Sequence, residues 1–298
     1  MLDLALHMKA QPGDFRNALS GKQLVLFFEK PSLRTRITFE SGITALGGTS
    51  FFVDQTASRL GKREPIGDMA RNLERWVDGI VLRTFSHDTV LEMAEQASIP
   101  VINALSDQEH PCQALADYMT LLEQFGDLRG VKLAYVGDGN NVAHSLMLAA
   151  ASVGSNIVVA TPAGYEPNPT ITALAQQVAE ETGASVTVTD DAVAAVEGAQ
   201  AVYTDVWASM GQEDEAAERQ RVFAAYQVNE RLFAHAAGNA VFMHCLPAHR
   251  GDEVAASVID SPRSVVFEQA ENRLHIQKAI LLWLLGRGRE MPQRSAHA

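Results

Sequence analysis

Short, continuously apolar runs recur along this chain, each followed by a stretch long enough for a helix. They are Leu24–Phe28 (LVLFF), Gly79–Arg83 (GIVLR), Pro100–Asn103 (PVIN), Lys132–Val136 (KLAYV), Asn156–Ala160 (NIVVA), Ser185–Val188, Ala201–Thr204 (AVYT) and Val241–His244 (VFMH). Apart from Ser185–Val188 (SVTV) they do not alternate apolar with polar, so they read as strands buried on both faces, as in a parallel sheet. The segments Thr35–Leu46, His87–Ala97, Gln113–Phe125, Val142–Val153 and Glu271–Leu285 read as helices, the first closed by Gly47 and Gly48. Strands spaced by helices imply an α/β fold of two three-layer α/β domains, each with a central mainly parallel sheet, joined by helices. A length of 298 residues fits two such units, and Gly126–Gly130 (GDLRG) is a natural joint.

Composition removes several function classes. The formal net charge of −12 argues against nucleic acid or an anionic membrane as partner. The longest apolar run near the end, Ala279–Leu285, is too short to span a bilayer, and the first residues lack a basic, then apolar, secretory leader. Two cysteines, Cys112 and Cys245, make neither a disulfide framework nor a cysteine-based zinc site, which fits a reduced, cytoplasmic setting. The charge is unevenly spread. Lys22, Lys30, Arg34 and Arg36 form a basic island with Glu29 as its one acid, while residues 126–270 are strongly acidic.

Five motifs carry chemistry. In Phe28–Arg36 (FEKPSLRTR) the chain leaves a strand and opens a helix. Free N–H groups, the helix dipole, two hydroxyls and the Arg34 fork suit a phosphate there, while a serine N-cap with solvated arginines fits the same letters. His110-Pro111-Cys112-Gln113 starts a helix. A histidine there can donate to a developing oxyanion, and proline at the first helical position is also ordinary grammar. Gly137-Asp138-Gly139-Asn140-Asn141 resembles a dinucleotide loop. It has Val142 where the third glycine belongs, and Ala160-Thr161 where a ribose-binding acid belongs. Asp205–Glu213 (DVWASMGQE) offers a carboxylate for an amine and a loop with a glycine. In His244–Gly251 (HCLPAHRG) a cysteine at a strand end can handle a proton or a nucleophile, or be a buried thiol.

Taken together, S-x-R-T-R, H-P-x-Q, D-x-x-x-S-M-G and H-C-L-P resemble the aspartate/ornithine carbamoyltransferase family, in its ornithine branch, from about Leu24 to Leu285. The resemblance implies transfer of the carbamoyl group of carbamoyl phosphate to the δ-amine of ornithine, giving citrulline and phosphate. It implies that Ser32, the Leu33 backbone, Arg34 and Thr35 hold the phosphate with Arg273. Arg83, His110 and Gln113 hold the carbamoyl end, with Thr35, Arg83 and His110 on its carbonyl. Asn141, Asp205, Ser209 and Met210 hold ornithine, and Cys245 with the Leu246 backbone faces the reacting centre. No metal or organic cofactor is implied, and the assembly is a homotrimer or a multiple of trimers with interfacial active sites. Residues 1–125 would bind carbamoyl phosphate and 126–270 ornithine, with 271–298 returning to the first domain.

Three departures from the family pattern stand out. Leu33 occupies a position that is commonly threonine. Arg59 falls where ornithine enzymes often carry a glutamine that reaches a neighbouring subunit's carbamoyl phosphate. Met1–Ala10 reads as the latter half of a first helix. Aspartate as acceptor fits poorly beside Asp205, and acylated ornithines fit poorly with a Ser-Met-Gly loop. Putrescine stays open as an alternative amine. A relative that binds without turnover and a nicotinamide oxidoreductase are the readings from other classes, disfavoured by the intact polar set and by Ala160-Thr161 respectively.

Overall fold

The computed structural model describes residues 1–55, 59–208 and 213–286. Strands β1 (Gln23–Phe28), β2 (Thr49–Asp54), β3 (Gly79–Arg83) and β4 (Val101–Leu105) form one parallel sheet in the order β2-β1-β3-β4. A second parallel sheet, ordered β7-β6-β5-β8-β9, contains β5 (Lys132–Val136), β6 (Asn156–Ala160), β7 (Val186–Thr189), β8 (Ala201–Thr204) and β9 (Val241–His244). The helices that position the site are α1 (Leu2–Ala10), α2 (Leu33–Ala45), α3 (Ile66–Leu73), α4 (His87–Gln96), α5 (Pro111–Phe125), α6 (Asn141–Val153), α7 (Pro169–Thr182), α8 (Ala192–Val196), α9 (Ala216–Phe223) and α10 (Val266–Leu285).

Each sheet is covered on both faces, which is why its central strands β1, β3, β5 and β8 read as unbroken apolar runs. Leu24, Leu26, Phe28 and Val81 point to one side, into a core shared with α1, α2, α5 and α10; Val25, Phe27, Ile80 and Leu82 point to the other, against α3 and α4. In the second sheet Leu133, Tyr135, Ile157, Tyr203 and Met243 face α5, α6 and α7, while Ala134, Val136, Val202 and Phe242 face α8 and the segments after it. The two domains are therefore three-layer α/β units, as the sequence pattern implies.

This layering places the site. The helix after β1 crosses one face of its sheet and the helix after β3 the other, so a crevice opens at the carboxyl ends of β1 and β3. The same reversal occurs between β5 and β8. Ligands of open parallel sheets bind at such switch points. β2, absent from the sequence reading, is an edge strand whose Phe51 is half exposed, so it lacks the all-buried signature. The last helix begins at Val266 rather than Glu271, which puts Gln269 and Arg273 on adjacent turns of one helix. It packs on α1, α2 and α5.

Candidate active site

The first switch point is cationic. Ser32 caps α2, its Oγ accepting the Thr35 N–H at 3.3 Å, so the cap and the anion reading describe the same residues. Leu33 is exposed, which fits a backbone rather than a side-chain contribution. Arg34 is half-buried, with no side-chain hydrogen bond among the described residues. Arg83 ends β3 and is buried with its Nε unpartnered among the described residues; burial, then the neighbouring Arg273, lowers its pKa to about 9. Arg273 reaches in from α10. It donates to Gln113 Oε1 at 2.6 Å and to Thr35 Oγ1 at 3.0 Å, and its Nε is also unpartnered among these residues.

His110, the N-cap residue of α5, lies beside these arginines. Burial, then Arg273, Arg83 and Arg34, hold its pKa well below the ordinary value, so the imidazole is neutral and donates one N–H. Buried donors without acceptors are rare and costly in native proteins. Here they converge on one spot, the environment an anion completes.

Asp117, one turn after Gln113, organises this group from behind. Its Oδ1 accepts from Gln113 Nε2 at 2.7 Å and from Gln269 Nε2 at 2.9 Å. Gln269 in turn accepts the His244 N–H at 2.9 Å, tying β9 of the other sheet to α10. Burial pushes the Asp117 carboxyl up to about 6.

The second switch point carries the opposite charge. Asp205, just past β8, is buried; its Oδ1 accepts the Cys245 thiol at 3.0 Å and its Oδ2 accepts Asn140 Nδ2 at 3.1 Å. Burial, then Asp205, pushes the Cys245 pKa well up, which favours the protonated thiol over the nucleophilic thiolate. Leu246, next along, has a left-handed backbone (φ 58°) and donates its N–H to His244 Nδ1 at 2.8 Å.

Asn140 caps α6, accepting the N–H groups of Val142 and Ala143, so a dinucleotide's pyrophosphate finds that helix end occupied. The glycine at 139 has another explanation. A Cβ there would lie 2.3 Å from Pro167 N, so two backbones cross at that point.

Comparison with known proteins agrees with this geometry. Residues 1–123 match the model of the aspartate/ornithine carbamoyltransferase carbamoyl-P binding domain. Residues 129–284 match its Asp/Orn binding domain. The chain belongs to the aspartate/ornithine carbamoyltransferase family. An ornithine carbamoyltransferase of Symbiobacterium thermophilum is 56% identical over 287 residues, covering 96% of this chain and 93% of that one. Among solved structures, the ornithine carbamoyltransferase of Pyrococcus furiosus superposes with a TM-score of 0.92 at 51% identity, covering 96% of this chain and 92% of that one. That of Gloeobacter violaceus gives 0.87 at 47%, covering 96% and 93%.

For a carbamoyltransferase, the structure brings together Thr35, Arg83, His110, Gln113 and Arg273, with Cys245 and Asp205 facing them. Ser209 and Met210 lie outside the described residues. Asn140, rather than Asn141, bonds to Asp205; Asn141 Nδ2 donates to Ser106 O at 2.7 Å. Arg59 is exposed, its guanidinium 4.6 Å from the Phe85 ring centroid, and Lys30 stacks on the same ring at 4.6 Å. Sequence reasoning missed Asp117 and Gln269. Both sit one helical turn from a named residue, a spacing that offers a signal only once the helix phase is known.

Proposed function

We infer that this chain transfers the carbamoyl group of carbamoyl phosphate to the δ-amine of L-ornithine, releasing L-citrulline and phosphate. The observation that carries the reading is the cluster of buried cationic and neutral donors, underpartnered among the described residues, facing the Asp205–Cys245 pair across the two switch points. An activated acyl phosphate needs an anion cradle and an oxyanion site; an amino acid's ammonium needs a buried carboxylate.

The roles follow from free valences. The Ser32 Oγ is used as an acceptor, which leaves its O–H for phosphate. The N–H groups at the start of α2, Leu33 among them, and the Arg34 fork add further donors. Thr35 accepts from Arg273, which leaves its O–H for the carbamoyl carbonyl, beside Arg83 and neutral His110. Gln113 and the Leu246 backbone take the carbamoyl nitrogen, and Arg273 bridges the carbonyl and phosphate ends. The δ-ammonium, with a solution pKa near 10, loses a proton before its nitrogen attacks. The carbonyl oxygen becomes an oxyanion held by Arg83, Thr35 and His110. Collapse breaks the carbon–oxygen bond to phosphate, which Arg34 and the α2 start retain, and the amine loses its second proton. Cys245 and Asp205 orient the amine; Asn141, Ser209 and Met210 complete the ornithine subsite.

Residues 1–125 form the carbamoyl phosphate domain and 126–270 the ornithine domain; of the returning segment 271–298, residues 271–286 pack back on the first domain and 287–298 lie outside the described residues. The support is the packing of α10 against α1, α2 and α5. The chain works as a homotrimer or a multiple of trimers, with Arg59 reaching a neighbouring site. Exposed Ile37, Phe51 and Trp76 on the first domain support an interface there. It works in the cytoplasm, in keeping with two free cysteines. Among the described residues no helix is long and apolar enough to cross a membrane.

Steady-state assay with both substrates tests the activity. Citrulline and phosphate form in equal amounts, and ornithine outperforms putrescine in kcat/KM; a folded protein that forms no citrulline overturns the reading.

A further inference from the structure

Asn141, His144 and Ser145 share one face of α6, at i, i+3 and i+4, and all three bond to one segment of the other domain, the 106–110 loop between β4 and α5. Asn141 Nδ2 donates to Ser106 O at 2.7 Å. The His144 Nδ1–H donates to Gln108 O at 2.8 Å, while its Nε2 accepts the Asn168 N–H at 2.9 Å, which fixes the tautomer. Ser145 Oγ accepts the His110 N–H at 2.8 Å and donates to Glu109 Oε2 at 2.9 Å.

His110 depends on this clamp for a local reason. As the N-cap residue it precedes Pro111, so its own N–H finds no acceptor inside α5. Its imidazole Nδ1 has no hydrogen-bond partner among the described residues, and the side chain is aimed by backbone placement and packing. Ser145, itself buried, supplies that backbone acceptor from across the domain boundary.

We propose that Ser145 is a positioning residue for His110, so that the domain receiving the amine sets the aim of the imidazole that polarises the carbamoyl carbonyl. The proposal rests on the assignment of His110 to that carbonyl. A displacement of about an ångström in such a group costs about 100-fold in rate. Loss of the serine oxygen therefore lowers kcat about 10- to 100-fold. It leaves carbamoyl phosphate affinity within about threefold, because Arg34, Arg83 and Arg273 are untouched.

The test compares Ser145→Ala with Ser145→Thr, which restores the oxygen, by steady-state kinetics, by calorimetry of carbamoyl phosphate binding and by the 13C resonance of bound [13C]carbamoyl phosphate. In Ser145→Ala the expected result is reduced kcat and a carbonyl resonance displaced toward that of the free ligand, with recovery in Ser145→Thr. A folded Ser145→Ala with unaltered kcat and resonance overturns the proposal, whatever its Tm. Ser145→Cys, which keeps the side chain's shape but replaces the oxygen with a weak acceptor, carries the test if Ser145→Ala does not fold. Its kcat then falls by about threefold or more, and an unchanged kcat overturns the proposal. His110→Asn separates the two layers. If it keeps kcat and the resonance, the role of His110 fails; if it loses both while Ser145→Ala keeps both, the positioning role fails.

Discussion

The two switch points differ in sign and in completeness. At the ends of β1 and β3, Arg83, Arg273 and His110 crowd together with donor nitrogens lacking partners among the described residues. At the ends of β5 and β8, Asp205 has a partner on each oxygen. One pole is raised in energy until an anion arrives; the other is set before any ligand comes. A site built this way offers an anionic, activated substrate donors that still lack partners, and offers an amine a carboxylate already held in place.

Arg83→Met is the largest perturbation of that contrast. On the proposed mechanism it removes an oxyanion donor, so kcat falls by about 100- to 1,000-fold. It also removes a buried cation crowded by Arg273, so Tm rises. A Tm that falls with kcat would show that the cationic pole is already balanced. Asp205→Asn probes the other pole. If Asp205 is the ammonium's partner, as proposed, losing its charge lowers kcat/KM for ornithine about 100-fold, the scale of ~3 kcal/mol for a desolvated charge pair, and leaves carbamoyl phosphate affinity in place. Calorimetry showing both ligands weakened alike would erase the distinction between the poles.

Much of this contrast was legible in the sequence, for physical reasons. GIVLR, KLAYV, NIVVA, AVYT and VFMH coincide with β3, β5, β6, β8 and β9, because strands covered on both faces leave unbroken apolar runs. The basic island located the cationic pole, since Arg34 lies next to the strand end it serves. Asp117, Ser145 and Gln269 escaped notice because a buried polar residue in a helix resembles a solvated one until the helix phase and its neighbours are known.

Asp117→Asn gives the smallest and most diagnostic effect. Burial raises the folded-state pKa to about 6, well above the ordinary aspartate range, so the folded state holds this proton more tightly. The stabilisation is fully present below the unfolded value and is lost as pH rises through about 6. Asparagine keeps an acceptor for Gln113 and Gln269 without titrating. The Tm of Asp117→Asn relative to the parent therefore increases by a few degrees between pH 4 and pH 8. Asp138, likewise raised to about 6 by burial, titrates in both proteins and cancels. A constant difference across that range would mean that Asp117 stays ionised, held by the arginines of the anionic-substrate pole.

Asn140 shows what shared duty does to the choice of a side chain. An aspartate caps a helix as well as an asparagine does, and its charge favours the helix start. Here the same side chain also accepts the Tyr135 hydroxyl at 3.3 Å and donates to Asp205. A carboxylate in its place would face Asp205 with a second negative charge at hydrogen-bonding distance, and one of the two would take up a proton. The amide is the residue that starts a helix without neutralising the acid beside it, so a substitution conservative for the helix would be a radical one for the proposed amine subsite.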